Sequence, residues 1–162
     1  MDQLDAWSEF NVAMVGATAA LAGLVIVASS VNIAEIIKSN TLTSRLGAAI
    51  AALVLAIVVT GLGLVPDMAP IWYGVTIAAG AIAAAAFQVH ATITIARDPA
   101  PEHVGRFFKS ALGFAPVVAY AVAATMIVLG ASGGLLVAAV ASLLAIVSAI
   151  MVSWVALVEV LR

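Results

Sequence analysis

The sequence has no cysteine and little charge. Its 162 residues include six Lys or Arg and eight Asp or Glu, so only 9% of the chain is charged. The missing cysteine excludes disulfides, thiolate nucleophiles and cysteine-held metals, and a formal net charge of −2 argues against a nucleic-acid partner. A soluble domain carries about 25% charged residues, whereas 65% of this chain is hydrophobic and its mean hydropathy is +1.26. We therefore expect a membrane protein.

What the chain does have is long apolar runs. Crossing ~30 Å of hydrocarbon takes ~20 helical residues, and five stretches are long enough. They lie at about Phe10 to Ile37, Leu46 to Leu64, Ile71 to Ile95, Ser110 to Leu129, and Leu135 to Val158. The sequence thus predicts an all-α fold, a single transmembrane domain of five helices over residues 1–162 that contacts the lipid bilayer.

All six cations fall in or beside alternate gaps between these spans. They are Lys38 and Arg45 after the first span, Arg97, Arg106 and Lys109 after the third, and Arg162 at the end of the chain. The gaps at 66–70 and 130–134 carry no cation, so the positive-inside rule predicts an N-terminus outside and a C-terminus in the cytoplasm. Arg106 and Lys109 flank Phe107 and Phe108, an arrangement suited to the surface of an anionic membrane.

Small residues recur along one stripe of the first span. The stripe consists of Ala13, Gly16, Ala20, Gly23, Val27, Ser30 and Ala34. Small side chains let a neighbouring helix approach closely, which is the packing that holds helices together in lipid. We therefore predict that the first span lies at the centre of a bundle or of a homo-oligomer. The third span offers the small pair Gly80 and Ala84, and the fifth span carries a second stripe, Ala138, Ser142, Ala145, Ala149 and Ser153.

Polar side chains are rare in the spans and gather toward the predicted inner ends. Ser29, Asn32 and Glu35 are spaced to descend one edge of the first helix, and Lys38 can pair with Glu35. One interpretation is a polar vestibule or an ion-coordinating ring at an oligomer axis. The alternative is a helix end returning to water, which the distance along the span favours.

Gln88 and His90 are the strongly polar residues of the third span. A titratable group inside a membrane is a functional hypothesis by default, and these two suggest a proton-responsive or ligand-binding site under the inner rim. The other interpretation is a histidine that bonds a neighbour or reaches the headgroups. His90 and His103 lack the further ligands of a zinc or iron site, so we predict no metal and no cofactor.

The pattern of residues indicates no catalytic site. No acidic or basic residue lies near the midpoint of a span, as pumps and voltage sensors require. The chain also contains no glycine-rich nucleotide loop and no HExxH pair. We therefore expect that the protein is not an enzyme.

Residues at both ends carry a resemblance to a family. They are Trp7, Phe10, Gly16, Ala17, Gly23, Leu24, Ser30, Val31, Asn32 and Pro66, with Trp154, Glu159 and Arg162 at the end. In these the chain resembles a group of small bacterial five-span proteins, some of which carry the label "modulator of FtsH protease". The resemblance implies a multi-pass protein of the bacterial inner membrane, and the label implies at most a membrane protein as a partner.

Two functions are therefore kept open. The first is a non-enzymatic, oligomeric assembly or accessory protein that binds other membrane helices through its small-residue stripes. The second is a homo-oligomeric ion channel whose pore is lined by the first span and opens toward Asn32 and Glu35. A channel needs a continuous wet path, whereas an accessory protein needs only an exposed packing surface.

Overall fold

A computed structural model describes residues 4–97 and 106–160, with side chains for 4–97 and 111–158. Within these ranges the chain forms helices and turns and no strand. A 3-10 turn, Asp5–Trp7, leads into six α-helices. They are α1 (Ser8–Val31), α2 (Ile33–Ile36), α3 (Asn40–Leu62), α4 (Pro70–Arg97), α5 (Arg106–Val128) and α6 (Gly134–Val160). The all-α prediction is confirmed.

Five of the helices are long and apolar enough to cross a membrane. By length and composition these spans are Asp5–Val31, Asn40–Leu62, Pro70–Arg97, Ala111–Val128 and Gly134–Val158. Each has at least 18 residues, which at 1.5 Å per residue approaches the thickness of the hydrocarbon core. The fold therefore agrees with a multi-pass membrane protein of five spans.

Helices α3 to α6 form a ring in which α3 contacts α4, α4 contacts α5, α5 contacts α6, and α6 returns to α3. Helix α1 packs on the outside of this ring, mainly against α3 and lightly against α6. In the most apolar window of each span, 56% of the α3 residues are buried but only 22% of the α1 residues. Thus α3, and not the first span, is the central helix of the protomer.

The first span is shorter than the sequence predicts because the helix breaks at Asn32. Asn32 has φ −109° and ψ 18°, outside the helical region, and its Nδ2 donates to the Ala28 carbonyl at 3.1 Å. An asparagine side chain that bonds nearby backbone competes with helix propagation. The chain resumes as the single turn α2 and then enters α3.

Helix α3 begins six residues before the predicted start of the second span. Ser39 is its N-cap, and the Ser39 Oγ accepts the Leu42 N–H at 3.3 Å. The polar residues of the first turns, which lie in the gap between the first two predicted spans, are therefore helical. As a result Arg45 lies within α3 and is buried, with 7% of its surface exposed.

The chain ends α5 with a glycine turn at the other end of the bundle. Gly130 has φ 67°, the Ala131 N–H bonds the Met126 carbonyl at 2.8 Å, and the Gly130 N–H bonds the Ile127 carbonyl at 3.1 Å. This pattern is a Schellman motif, in which glycine takes the left-handed position without steric cost. The sharp turn brings α6 back along α5.

A buried hydroxyl pair joins α5 to α6 inside the ring. Ser142 Oγ donates to the Ala138 carbonyl at 3.0 Å, and the Tyr120 and Ser142 hydroxyl oxygens lie 2.8 Å apart. Since the one Ser142 hydrogen is directed to Ala138, the Tyr120 O–H is the donor of the second bond. Both residues are buried, Tyr120 at 0% exposure, so the bond satisfies a phenol that has no access to water.

Candidate functional site

Helix α1 has two stripes of equal spacing, and the protomer covers one of them. The buried stripe faces α3 and consists of Asn11, Met14, Thr18, Ala22 and Val25. Thr18 is fully buried, and its hydroxyl donates to the Met14 carbonyl at 2.6 Å. Apart from Ala22, internal packing of α1 therefore uses medium-sized side chains.

Six of the seven residues of the small-residue stripe lie on the uncovered side of α1, and Ala34 follows the break, in α2. Each of its seven residues is exposed in the protomer: Ala13, Gly16, Ala20, Gly23, Val27, Ser30 and Ala34. A Cβ built at Gly16 or at Gly23 would meet nothing within 4 Å. The close contact expected at this stripe is thus not made within one chain, and the first span does not occupy the centre of the protomer.

The small residues of the fifth and third spans lie inside the ring instead. Ala138, Ser142, Ala145 and Ala149 are all buried, on a helix that packs against both α3 and α5. Ala84 is buried as well, and a Cβ at Gly80 would lie 2.5 Å from Leu55 Cδ1. These positions serve packing within the protomer.

The polar trio of the first span does not share one edge in the structure. Ser29 Oγ donates to the Val25 carbonyl at 2.7 Å, and Ser29 and Asn32 line a small cavity between α1, α3 and α6. Glu35 lies beyond the helix break, is exposed, and pairs with Lys38 across 2.7 Å. The break at Asn32 separates Glu35 from the other two residues, so the trio forms no joint polar ring in the protomer.

Gln88 and His90 also lie in different surroundings. Gln88 is buried, and a Cβ at Gly113 of α5 would overlap its carboxamide. Gln88 lines a small cavity together with Arg45 and Ser148, which are both buried. This internal cluster was not predicted from the sequence, although apolar residues follow Arg45 at helical spacing and indicate that it shares their face of α3.

His90 instead faces an open groove between the start of α3 and the end of α4. The groove has a volume of about 1010 Å³, and Lys38 and Arg97 line it together with His90. Hydroxyl groups of the α3 amino-terminal turns, such as Ser44, contribute further polar surface. No aspartate or glutamate is among the described residues that line it, so the groove is basic and polar.

The predicted lipid-facing basic pair lies at the edge of what the structure describes. Arg106 and Lys109 belong to the first turn of α5, but their side chains are outside the described part, and His103 is outside it entirely. Among the side chains described at 4–97 and 111–158, no three His, Asp or Glu residues group as a metal site would require.

Comparison with known proteins adds no second line of information. No family model, no curated protein and no solved structure matches the chain.

Proposed function

We propose that the protein is a non-enzymatic multispan membrane protein that assembles through the exposed small-residue face of α1. The observation that carries this proposal is the empty space at Gly16 and Gly23, where a Cβ would touch nothing within 4 Å. In lipid, helices associate where small residues let two backbones approach closely. The α1 face has that composition and lacks a neighbour in the protomer.

The partner that fits this face best is a second copy of the chain. Copies inserted in the same orientation present parallel α1 helices, and a two-fold axis along the membrane normal brings the same residue of each helix together. The centre of such a contact would be Ala20, between Gly16 and Gly23. A helix of another membrane protein, as the resemblance suggests, is the other partner of this chemistry.

Cysteine cross-linking tests the homodimer directly, because the chain has no cysteine of its own. Ala20→Cys should form a disulfide between copies in membranes, since parallel helices in register bring these Cα atoms within the roughly 4.4–6.8 Å that a disulfide spans. Ala86→Cys, on an exposed position of α4, is the matched control and should form no disulfide between copies. Equal cross-linking of the two variants would refute the α1 interface.

A second test places large side chains on the exposed face of α1 instead of cross-linking it. Gly16→Leu with Gly23→Leu should reduce the oligomeric fraction in native mass spectrometry without loss of thermal stability, because both side chains enter empty space. Ala121→Leu, on the exposed side of α5, should leave assembly unchanged. An unaltered subunit count in the glycine variant would show that the stripe makes no close contact.

The proposed setting is the bacterial inner membrane, with the N-terminus outside and the C-terminus in the cytoplasm. This orientation follows from the cations on the connections that precede α3 and follow α4. Ala131→Cys should therefore react with a membrane-impermeant maleimide added to intact spheroplasts, whereas Ile37→Cys should react only after lysis. The reverse pattern would invert the proposed topology.

The channel hypothesis stays a prediction with less support from the geometry. Its polar pore residues Ser29 and Asn32 face α3 and α6 and not the uncovered side of α1. If a pore nevertheless forms around α1, purified protein in planar bilayers should give unitary currents that Glu35→Gln alters. Silence across voltage and pH would remove this function.

A further inference from the structure

We infer that the α3–α4 face binds one glycerophospholipid with an anionic headgroup. The inference rests on two adjoining grooves and is independent of the α1 interface. The first is the basic, polar groove that holds Lys38, His90 and Arg97. The second is an apolar groove of about 440 Å³ that continues from it down the bundle.

The two grooves are continuous because they share Gly47 of α3 and Phe87 of α4. Beyond these residues the lining becomes wholly apolar and includes Ala51, Val54 and Ala83. A polar chamber at a helix end that opens into an apolar channel along the helices matches the shape of a lipid, with its headgroup above its acyl chain.

The depth of the apolar groove matches one leaflet. Its α3 side runs from Gly47 to Val58, and eleven residues at 1.5 Å each extend about 16 Å along the helix axis. Half of a ~30 Å hydrocarbon core is about 15 Å. The groove therefore has room for an acyl chain that reaches the bilayer midplane.

Charge complementarity selects an anionic headgroup. Lys38 and Arg97 place two cations on the polar groove, and His90 adds an imidazole that can donate a hydrogen bond. The amino-terminal residues Ser39 and Asn40 of α3 also line it, so the positive end of a long helix dipole adds to the same field. The Lys38 pair with Glu35 is exposed on both sides and therefore competes weakly with a phosphate.

Native mass spectrometry of the purified protein with added phosphatidylglycerol or phosphatidylcholine tests the headgroup. We expect one lipid to be retained, phosphatidylglycerol in preference to phosphatidylcholine. Arg97→Gln should weaken phosphatidylglycerol binding about fivefold, the effect of one cation at an anionic surface, while Arg97→Lys should keep it. Equal retention of the two lipids, or equal loss in both Arg97 variants, would overturn the assignment.

The acyl groove is tested by a pair of variants on α4. Ala83→Trp fills the groove and should abolish preferential retention, whereas Ala86→Trp, exposed but outside the groove lining, should not. If Ala83→Trp binds phosphatidylglycerol like the wild type, the two-part site is wrong.

A measurement on the wild-type chain tests the lipid site without relying on the folding of variants. Phosphatidylglycerol with a photoactivatable group at the end of its acyl chain should label peptides of α3 and α4 that contain Val54, Val58 or Ala83. Labelling spread evenly over all five spans would show ordinary bilayer contact and would refute the site.

Discussion

Substitutions at Tyr120 and Ser142 should cost unequal amounts of stability. In Tyr120→Phe, the Ser142 hydroxyl keeps its bond to the Ala138 carbonyl and loses only an incoming donor, so the free energy of unfolding should fall by about 0.5–1.5 kcal/mol. In Ser142→Ala, the Tyr120 O–H remains at 0% exposure without its acceptor. A buried donor left unpaired costs about 1–3 kcal/mol.

The double variant distinguishes this reasoning from simple loss of packing. With both hydroxyls gone no polar group is left unpaired, so Tyr120→Phe/Ser142→Ala should cost about as much as Tyr120→Phe alone. The coupling energy then equals the cost of Ser142→Ala alone, about 1–3 kcal/mol, and its lower end overlaps the range measured for hydrogen bonds between membrane helices. Unfolding by SDS in mixed micelles, followed by circular dichroism, gives the four free energies.

A control on the same helix separates the buried bond from a general effect of removing hydroxyls. Thr125 is exposed and bonds only the Ala121 carbonyl of its own helix, so Thr125→Ala should change the free energy by less than about 0.5 kcal/mol. Strictly additive costs at Tyr120 and Ser142, or a larger cost for Tyr120→Phe, would refute the assignment of donor and acceptor.

Two further predictions concern a glycine of α4 and the N-cap of α3. Gly74→Ala should destabilise the bundle by about 1–3 kcal/mol, because the new Cβ would lie 2.8 Å from Val128 Cγ2 and 3.3 Å from Val128 N. Gly47→Ala is the control, since its new Cβ would meet nothing within 4 Å. In the same unfolding assay it should be neutral or slightly stabilising. Ser39→Ala removes the N-cap of α3 and should cost about 1 kcal/mol. Ser44→Ala loses only a bond to its own helix and should cost less, and equal costs would contradict the capping role.

The number and type of helices follow from composition, but the packing direction of α1 does not. Gly16 and Gly23 belong to a stripe with the same three- and four-residue spacings as the buried stripe that holds Met14 and Val25, and two residues of offset place the two stripes on opposite sides of the helix. Periodicity therefore indicates two faces without stating which one the protomer covers. In the structure the larger side chains fill the contact with α3.

Helix boundaries at the cationic end are also poorly set by hydropathy. Ser39 caps α3 and the following polar residues form its first turns, because a helix can extend beyond the hydrocarbon where its side chains meet headgroups and water. Nearness in the sequence also does not place Gln88 and His90 in one site. A separation of two residues turns side chains by about 200° on a helix, so one residue is buried against α5 and the other faces the groove.

Because α1 lies outside the ring, an applied force would break the helix contacts in a defined order. Tension applied at the amino terminus would load the seam between α1 and α3 first, while the closed circuit of α3 to α6 shares its load among four mutual contacts. The break at Asn32 and the single turn α2 connect α1 to α3 at one end of that seam. Extraction from a bilayer by pulling on this end would therefore begin with one helix peeling away and leave the remaining four as a residual unit.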